Sequence, residues 1–369
     1  MGAVIQDYLN VVQQAAISCY DFINQGQEKD ADNAAVSTMR NELNRLPIRG
    51  EVVIGEGERD NAPMLHIGEK VGAGWKRRDE GDSSSNNDEN HSNVTPNVSI
   101  ALDPLEGTTL CANGVDGALS VMAVSQHGCL LKAPDIYMNK IVVGAEFADC
   151  VDIDKPIADN IKGIAKKKGV DHCNVTVVML DRERHRELIQ QTKDAGANVR
   201  LIQDGDVLAS IEIVMAATAA APHAAAAATA AAADMYVGIG GAPEGVLAAA
   251  AVGILGGFMQ GRLLCATEDD EKRCEEYGIS DINKKYSANE LASGNGLIFI
   301  ATAITNNSIL TGVKKVDLGQ GYCHNDSGDE NHADTDSIGI RQTKYRFQTH
   351  SLVMSYGDQL IQYISQIHL

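Results

Sequence analysis

The sequence predicts an α/β protein, and three observations carry that reading. Hydrophobic residues make up 44% of the chain, yet it has one Trp and five Phe beside 35 glycines. Such an aliphatic, glycine-rich composition suits sheets and helices packed through small and branched side chains. Residues 175–202 read as a βαβ unit: a buried strand over 175–180, an amphipathic helix over 184–195, a stop at Gly196 and a second strand over 199–202. Polar residues also gather just beyond apolar runs, where α/β proteins build their sites.

The elements follow in order. Val4, Ile5, Tyr8, Leu9, Val12, Ala15, Ala16, Cys19, Tyr20 and Ile23 recur at helical spacing, so the chain opens with an amphipathic helix ended by a turn at Gln25-Gly26. A second helix runs through Ala34, Ala35, Met39, Leu43 and Leu46, with Asp32 at its start as an N-cap. Residues 50–54 form a short strand leading into Gly55-Glu56-Gly57-Glu58-Arg59-Asp60. Glycine lets that backbone turn tightly, so its acids can converge; a solvated charged loop is the plainer reading. Residues 74–96 turn polar and aperiodic and read as a surface insertion.

An apolar strand over 98–102 then meets Asp103-Pro104-Leu105-Glu106-Gly107-Thr108, expected as a stiff turn. Two carboxylates three residues apart can face one point, and their charge is stable there when cations occupy it. Thr108 adds a hydroxyl able to hold an attacking water. An Asp-Pro turn that solvates its own acids is the alternative.

Further strands are expected over 118–124, 141–147 and 151–157, with Tyr137 reading as core from spacing alone. Arg182 and Arg184 stand at a strand-to-helix junction, where guanidinium groups grip phosphate bidentately. Asp204-Gly205-Asp206 occupies the next such junction. Residues 216–234 are almost wholly alanine and carry no chemistry. Beyond them, Gly238 to Gly245 fails as a dinucleotide fingerprint but is well formed as a strand-to-helix turn presenting Glu244. Strands over 261–265, 296–304 and 350–355, a charged helix over 269–277, a polar loop over 318–338 and a terminal helix or strand complete the chain.

With 31 basic and 50 acidic residues the net charge is −19, which opposes binding to nucleic acid or an anionic membrane. No apolar stretch approaches the roughly 20 residues that span a bilayer, and a cytoplasmic protein is expected. The eight cysteines form no CxxC pair and read as reduced thiols.

Asp32, Glu56, Asp103, Glu106 and Glu244 each stand at the edge of an expected element. Ligation by carboxylates alone selects hard ions, Mg²⁺ or Mn²⁺, which bind substrate phosphates and so point to phosphoryl chemistry. The segments Ile54 to Leu65, Asp103 to Thr108, Ala133-Pro134-Asp135-Ile136-Tyr137-Met138, Asp204 to Asp206 and Gly240 to Gly245 together resemble the class II fructose-1,6-bisphosphatases. Arg184-His185-Arg186-Glu187 and Gln260-Gly261-Arg262-Leu263 are similar to the cyanobacterial form that also hydrolyses sedoheptulose 1,7-bisphosphate. Asp-Pro-Leu-Glu-Gly-Thr alone marks the wider lithium-sensitive phosphatase superfamily.

That resemblance implies a layered α/β/α/β/α sandwich with metal ligands Asp32, Glu56, Asp103, Glu106 and Glu244. It implies substrate contacts from Glu106, Gly107, Thr108, Tyr137, Arg182, Glu183, Arg184, Asp204, Gly205, Asp206 and Gly241. It gives Asp60, Thr108 and Glu56 to catalysis, a metal-activated water attacking the 1-phosphate. It implies two halves, 1–168 carrying most metal ligands and 169–369 completing the substrate site, and a homo-oligomer, dimer or tetramer. Two departures stand out: Glu28 where the family has Lys, and Glu183 where it has Pro. A monophosphatase of the inositol type and a non-catalytic sugar-phosphate or metal sensor remain as alternative readings.

Overall fold

A computed structural model describes residues 3–56, 65–78, 95–217, 233–317 and 345–368. Helices α1 (Ala3–Ser18) and α2 (Glu28–Leu43) open the chain. Strands β1 (Arg49–Ile54), β2 (Lys70–Val71), β3 (Asn97–Glu106) and β4 (Leu119–Gln126) follow, with the short helix α3 (Thr108–Ala112) after β3. Strand β5 (Tyr137–Val143) and helix α4 (Ile157–Lys168) lead to the βαβ unit: β6 (Thr176–Leu180), a 3₁₀ turn Glu183–His185, α5 (Arg186–Asp194) and β7 (Asn198–Ile202). Then come α6 (Asp206–Ala217), β8 (Met235–Gly241), α7 (Ala242–Ile254), β9 (Phe258–Leu264) and α8 (Glu268–Glu276). The chain ends with β10 (Tyr286–Ser287), α9 (Ala288–Leu291), β11 (Ile298–Ala303), β12 (Lys314–Asp317), β13 (Tyr345–Ser355) and β14 (Leu360–His368).

Among the described residues the strands form two sheets. One runs β12-β13-β11-β4-β3-β1-β2 with β14 beside β13; the other runs β10-β9-β5-β8-β6-β7. Three separate cores define the layers. Tyr8, Leu9, Val12, Met39 and Leu43 of α1 and α2 pack on Val52, Ile100, Met122 and Ile300, one face of the first sheet. Val121, Ala123 and Phe299 on its other face meet Ile211, Val246 and Ala250 of α6 and α7, which in turn cover Met138, Val142 and Met259 of the second sheet. Ile161 and Ile164 of α4 and Leu188 of α5 close over Ile141, Val177 and Val237 on the far face. The order is α/β/α/β/α, as the family resemblance implies. The central strands β3, β4 and β11 are buried almost without interruption, and because successive side chains point to opposite faces, these near-continuous apolar runs fill both sides of the sheet, which this stacking demands.

Three local expectations change, and one left open is decided. Asp32 is not a cap, because α2 starts four residues earlier with Gln27 as its flanking residue. The polar insertion does not begin at Gly74: Ala73–Arg78 is a 3₁₀ helix whose Trp75 indole donates to the Gly50 carbonyl at 3.2 Å. No strand forms over 151–157, and the apolar spacing of Ile157, Ile161 and Ile164 instead belongs to α4. The terminal element is a strand. Residues 79–94, the alanine tract over 218–232 and the loop from 318 to 344 lie outside the described residues. No helix among those described is long and apolar enough to cross a membrane, and Cys265 and Cys274 stand as thiols with sulfurs 3.4 Å apart.

Candidate active site

The Asp-Pro-Leu-Glu segment is the end of a strand and not a turn. β3 continues to Glu106, with a bulge between Asp103, opposite Val121, and Glu106, opposite Leu119. Pro104 falls inside that bulge, where its missing N–H costs no ladder hydrogen bond. The Leu105 amide donates to Asp103 Oδ1 at 3.0 Å, fixing the carboxylate. The turn comes one residue later, at Gly107, whose φ of +81° suits glycine.

Glu244 arrives from the opposite layer. Gly241, Ala242 and Pro243 start α7, with Pro in the first turn where its lack of N–H is harmless, and Glu244 projects from that same turn. One carboxylate oxygen from each of Asp103, Glu106 and Glu244 lies within 4.8 Å of the other two. Their electrostatics record the crowding. Burial, then the neighbouring Glu244, pushes the Asp103 carboxyl up to about 7. Glu106 is pushed well above its usual range by burial and then Asp103. Glu244 is raised by burial and then Asp206, with the Lys140 ammonium pulling the other way. Glu56, just past β1, is raised well above its range by burial and then by Asp103, Asp32 and Glu244, so both remaining sequence-predicted ligands sit within electrostatic reach.

Such a cluster fits hard divalent ions. Its donors are all oxygen, and Glu244 Oε2 is buried with no hydrogen-bond partner among the described residues. Acids held this close without a cation must either protonate or repel.

Glu106 and Glu244 also line a cavity of about 590 Å³. Tyr137, Arg182, Arg184, Asp204, Asp206 and Gly241 line it as well, as the sequence anticipates for substrate contacts. Tyr137 is not core: it is 52% exposed. The His185 ring explains how the arginines are set. Its Nε2 accepts from the Ile239 amide at 2.7 Å, so its Nδ1 carries the proton that it donates to the Leu180 carbonyl at 2.8 Å. This pins the 3₁₀ turn to β8.

Other anticipated residues stand apart from the cavity wall. Glu183 turns its carboxylate to Arg186 at 2.5 Å on the exposed surface. Thr108 donates to the Leu105 carbonyl at 3.1 Å, and Gly107 and Gly205 shape their turns. Asp60 lies outside the described residues. Three charged lining side chains were not anticipated as contacts: Asp135, Asp270 and Arg273. Asp135 is two residues before Tyr137 in a quoted motif, which was a usable signal. Asp270 and Arg273 belong to α8, whose run of charges reads as a solvated face and hides them.

Two stacked sheets with helices between and outside them, and an acidic cluster beside an arginine-lined cavity, define a phosphatase of the layered α/β class. The chain belongs to the family described as bacterial fructose-1,6-bisphosphatase, glpX-encoded, whose model matches residues 3–322. It is 40% identical over 324 residues to the D-fructose 1,6-bisphosphatase class 2/sedoheptulose 1,7-bisphosphatase of Prochlorococcus marinus (strain MIT 9301), covering 84% of this chain and 88% of that protein. A protein of the same description from Synechococcus sp. (strain RCC307) is 39% identical, with 84% and 87% covered.

Proposed function

We propose that the chain hydrolyses the 1-phosphate of fructose 1,6-bisphosphate and also that of sedoheptulose 1,7-bisphosphate, using Mg²⁺ or Mn²⁺. The observation that carries this reading is the convergence of Asp103, Glu106 and Glu244, from two different layers, at the edge of a cavity that Glu106 and Glu244 line together with Arg182 and Arg184. Asp32 and Glu56 complete the ligand set. Bound divalent ions would supply charge neutralisation at the phosphoryl oxygens and a water acidic enough to react near neutral pH.

The chain's own residues divide the remaining work. Thr108 commits its hydroxyl proton to the Leu105 carbonyl, so it meets a water as an acceptor and orients the water's proton. Arg182 and Arg184 hold the distal phosphate through charge-assisted bonds and select a bisphosphate. Asp204 and Asp206 accept from sugar hydroxyls. Asp60 is assigned as a catalytic acid from the family motif. A dimer or tetramer acting in the cytoplasm fits this role.

The test is phosphate release from fructose 1,6-bisphosphate, sedoheptulose 1,7-bisphosphate and inositol monophosphate, with Mg²⁺ and with Mn²⁺. Turnover of the two bisphosphates is expected. Turnover of inositol monophosphate alone would favour the inositol type, and metal-dependent thermal stabilisation without phosphate release would favour a sensor.

A further inference from the structure

Lys140 lies within β5 with 1% of its surface exposed, a place where an unpaired ammonium is not tolerated. Its Nζ pairs with Asp206 Oδ2 and donates to the Gly241 carbonyl at 3.1 Å. The Tyr236 hydroxyl donates to the same Asp206 oxygen at 3.2 Å. One buried cation therefore joins the N-terminus of α6 to the backbone that opens α7. The close approach is built into the backbone: a Cβ on Gly240 would run into Asp206 Oδ2 and come within 2.8 Å of Lys140 Nζ.

Asp206 is 5% exposed yet lines the cavity, so the carboxylate presents little more than an edge. Two donors occupy Oδ2, and no described hydrogen bond uses Oδ1. Rotation of the group would break both bonds and leave the buried Lys140 ammonium without its carboxylate partner. We propose that Lys140, with Tyr236, is a positioning residue that fixes the Asp206 carboxylate so that Oδ1 faces the sugar bisphosphate. The inference rests on the bisphosphatase reading for the ligand's identity. Lys140 touches no reacting atom; it acts through Asp206, and its removal loosens substrate binding more than it slows the chemical step.

A structural role and a positioning role make different demands on three variants. Lys140→Met strands a buried carboxylate. Lys140→Met with Asp206→Asn removes both charges and keeps the shape, which restores folding when a lone buried charge was the defect. Tyr236→Phe deletes one hydroxyl. Thermal melts, KM and kcat for fructose 1,6-bisphosphate, and calorimetric affinity for that sugar phosphate on the Mg²⁺-loaded protein are measured on each. Lys140→Met is expected to raise KM about tenfold or more with kcat within about threefold of the parent. The double variant is expected to melt near the parent temperature yet keep the raised KM, and Tyr236→Phe to raise KM by a smaller factor. Folded Lys140→Met with KM and affinity within twofold of the parent overturns the proposal; where Lys140→Met does not fold, KM and affinity within twofold of the parent in Tyr236→Phe, which leaves the Asp206 carboxylate in place, overturn it. Absence of phosphate release from the parent protein would reject the bisphosphatase reading alone, because the calorimetric affinities still decide the role of Lys140.

Discussion

The guanidinium carbon of Arg184 lies 4.7 Å from the centre of the Tyr137 ring, while its Nε donates to the Ile239 carbonyl at 2.9 Å. One side chain thus ties the β6–α5 junction to β8 and to the first residue of β5, and its other N–H groups remain for an anion. Replacing Arg184 by Ala is expected to raise KM for fructose 1,6-bisphosphate about tenfold or more. Tyr137→Phe, which keeps the ring face, should change KM little. Steady-state kinetics on both variants decide; an unchanged KM in Arg184→Ala removes it from the distal phosphate.

Glu244→Gln and Asp103→Asn each delete one charge from the three-acid cluster while keeping its shape. Phosphate release is expected to fall by more than about 100-fold in each, with the fold intact by circular dichroism. Activity within a few-fold of the parent would reject the ligand assignment.

The raised carboxyls make a directional claim about pH. Asp103 sits at about 7 in the folded chain against an ordinary 3.8, and Glu106, Glu56 and Glu244 move the same way. Between those values the folded metal-free chain binds more protons than the unfolded one, so stability falls as pH rises. The metal-free protein is therefore expected to melt higher at pH 5 than at pH 8, and Mg²⁺ or Mn²⁺ to raise the melting temperature more at pH 8. Thermal scans in chelator and in metal check both; a metal-free protein that is more stable at pH 8 contradicts the cluster's electrostatics.

Glu28 opens α2 as an exposed acid, and its charge reaches Asp204 on the cavity wall. An anion there opposes a doubly phosphorylated substrate. Glu28→Lys, the residue usual in the family, is expected to lower KM for the bisphosphate severalfold at low ionic strength, with the gain shrinking as salt screens it. An equal or higher KM at low salt would show that the position does not see the substrate.

The layered class was legible because apolar runs survive in the strands, helical periodicity survives in α1, and α7 is apolar all round, as a helix packed between two sheets must be. It failed where local signals mislead. Val151 to Ile157 alternates enough to read as a strand, although the same isoleucines continue at helical spacing into α4. Asp-Pro reads as a turn, but a strand bulge accommodates proline equally well. The candidate ligands were visible as acids at element edges, and the family motifs placed them together. Lys140 is silent in the sequence for the opposite reason: it is one charge in an apolar strand, and its meaning appears only when Asp206, 66 residues later, folds against it.

Ala248 to Ala251 of α7 are all buried, and this helix touches strands of both sheets while carrying Glu244 at its head. The methyl groups act as a shim whose thickness sets the separation of the two sheets. A bulkier side chain there would pry apart the jaws that close on the ions, so even a repacked and heat-resistant centre could leave the enzyme detuned.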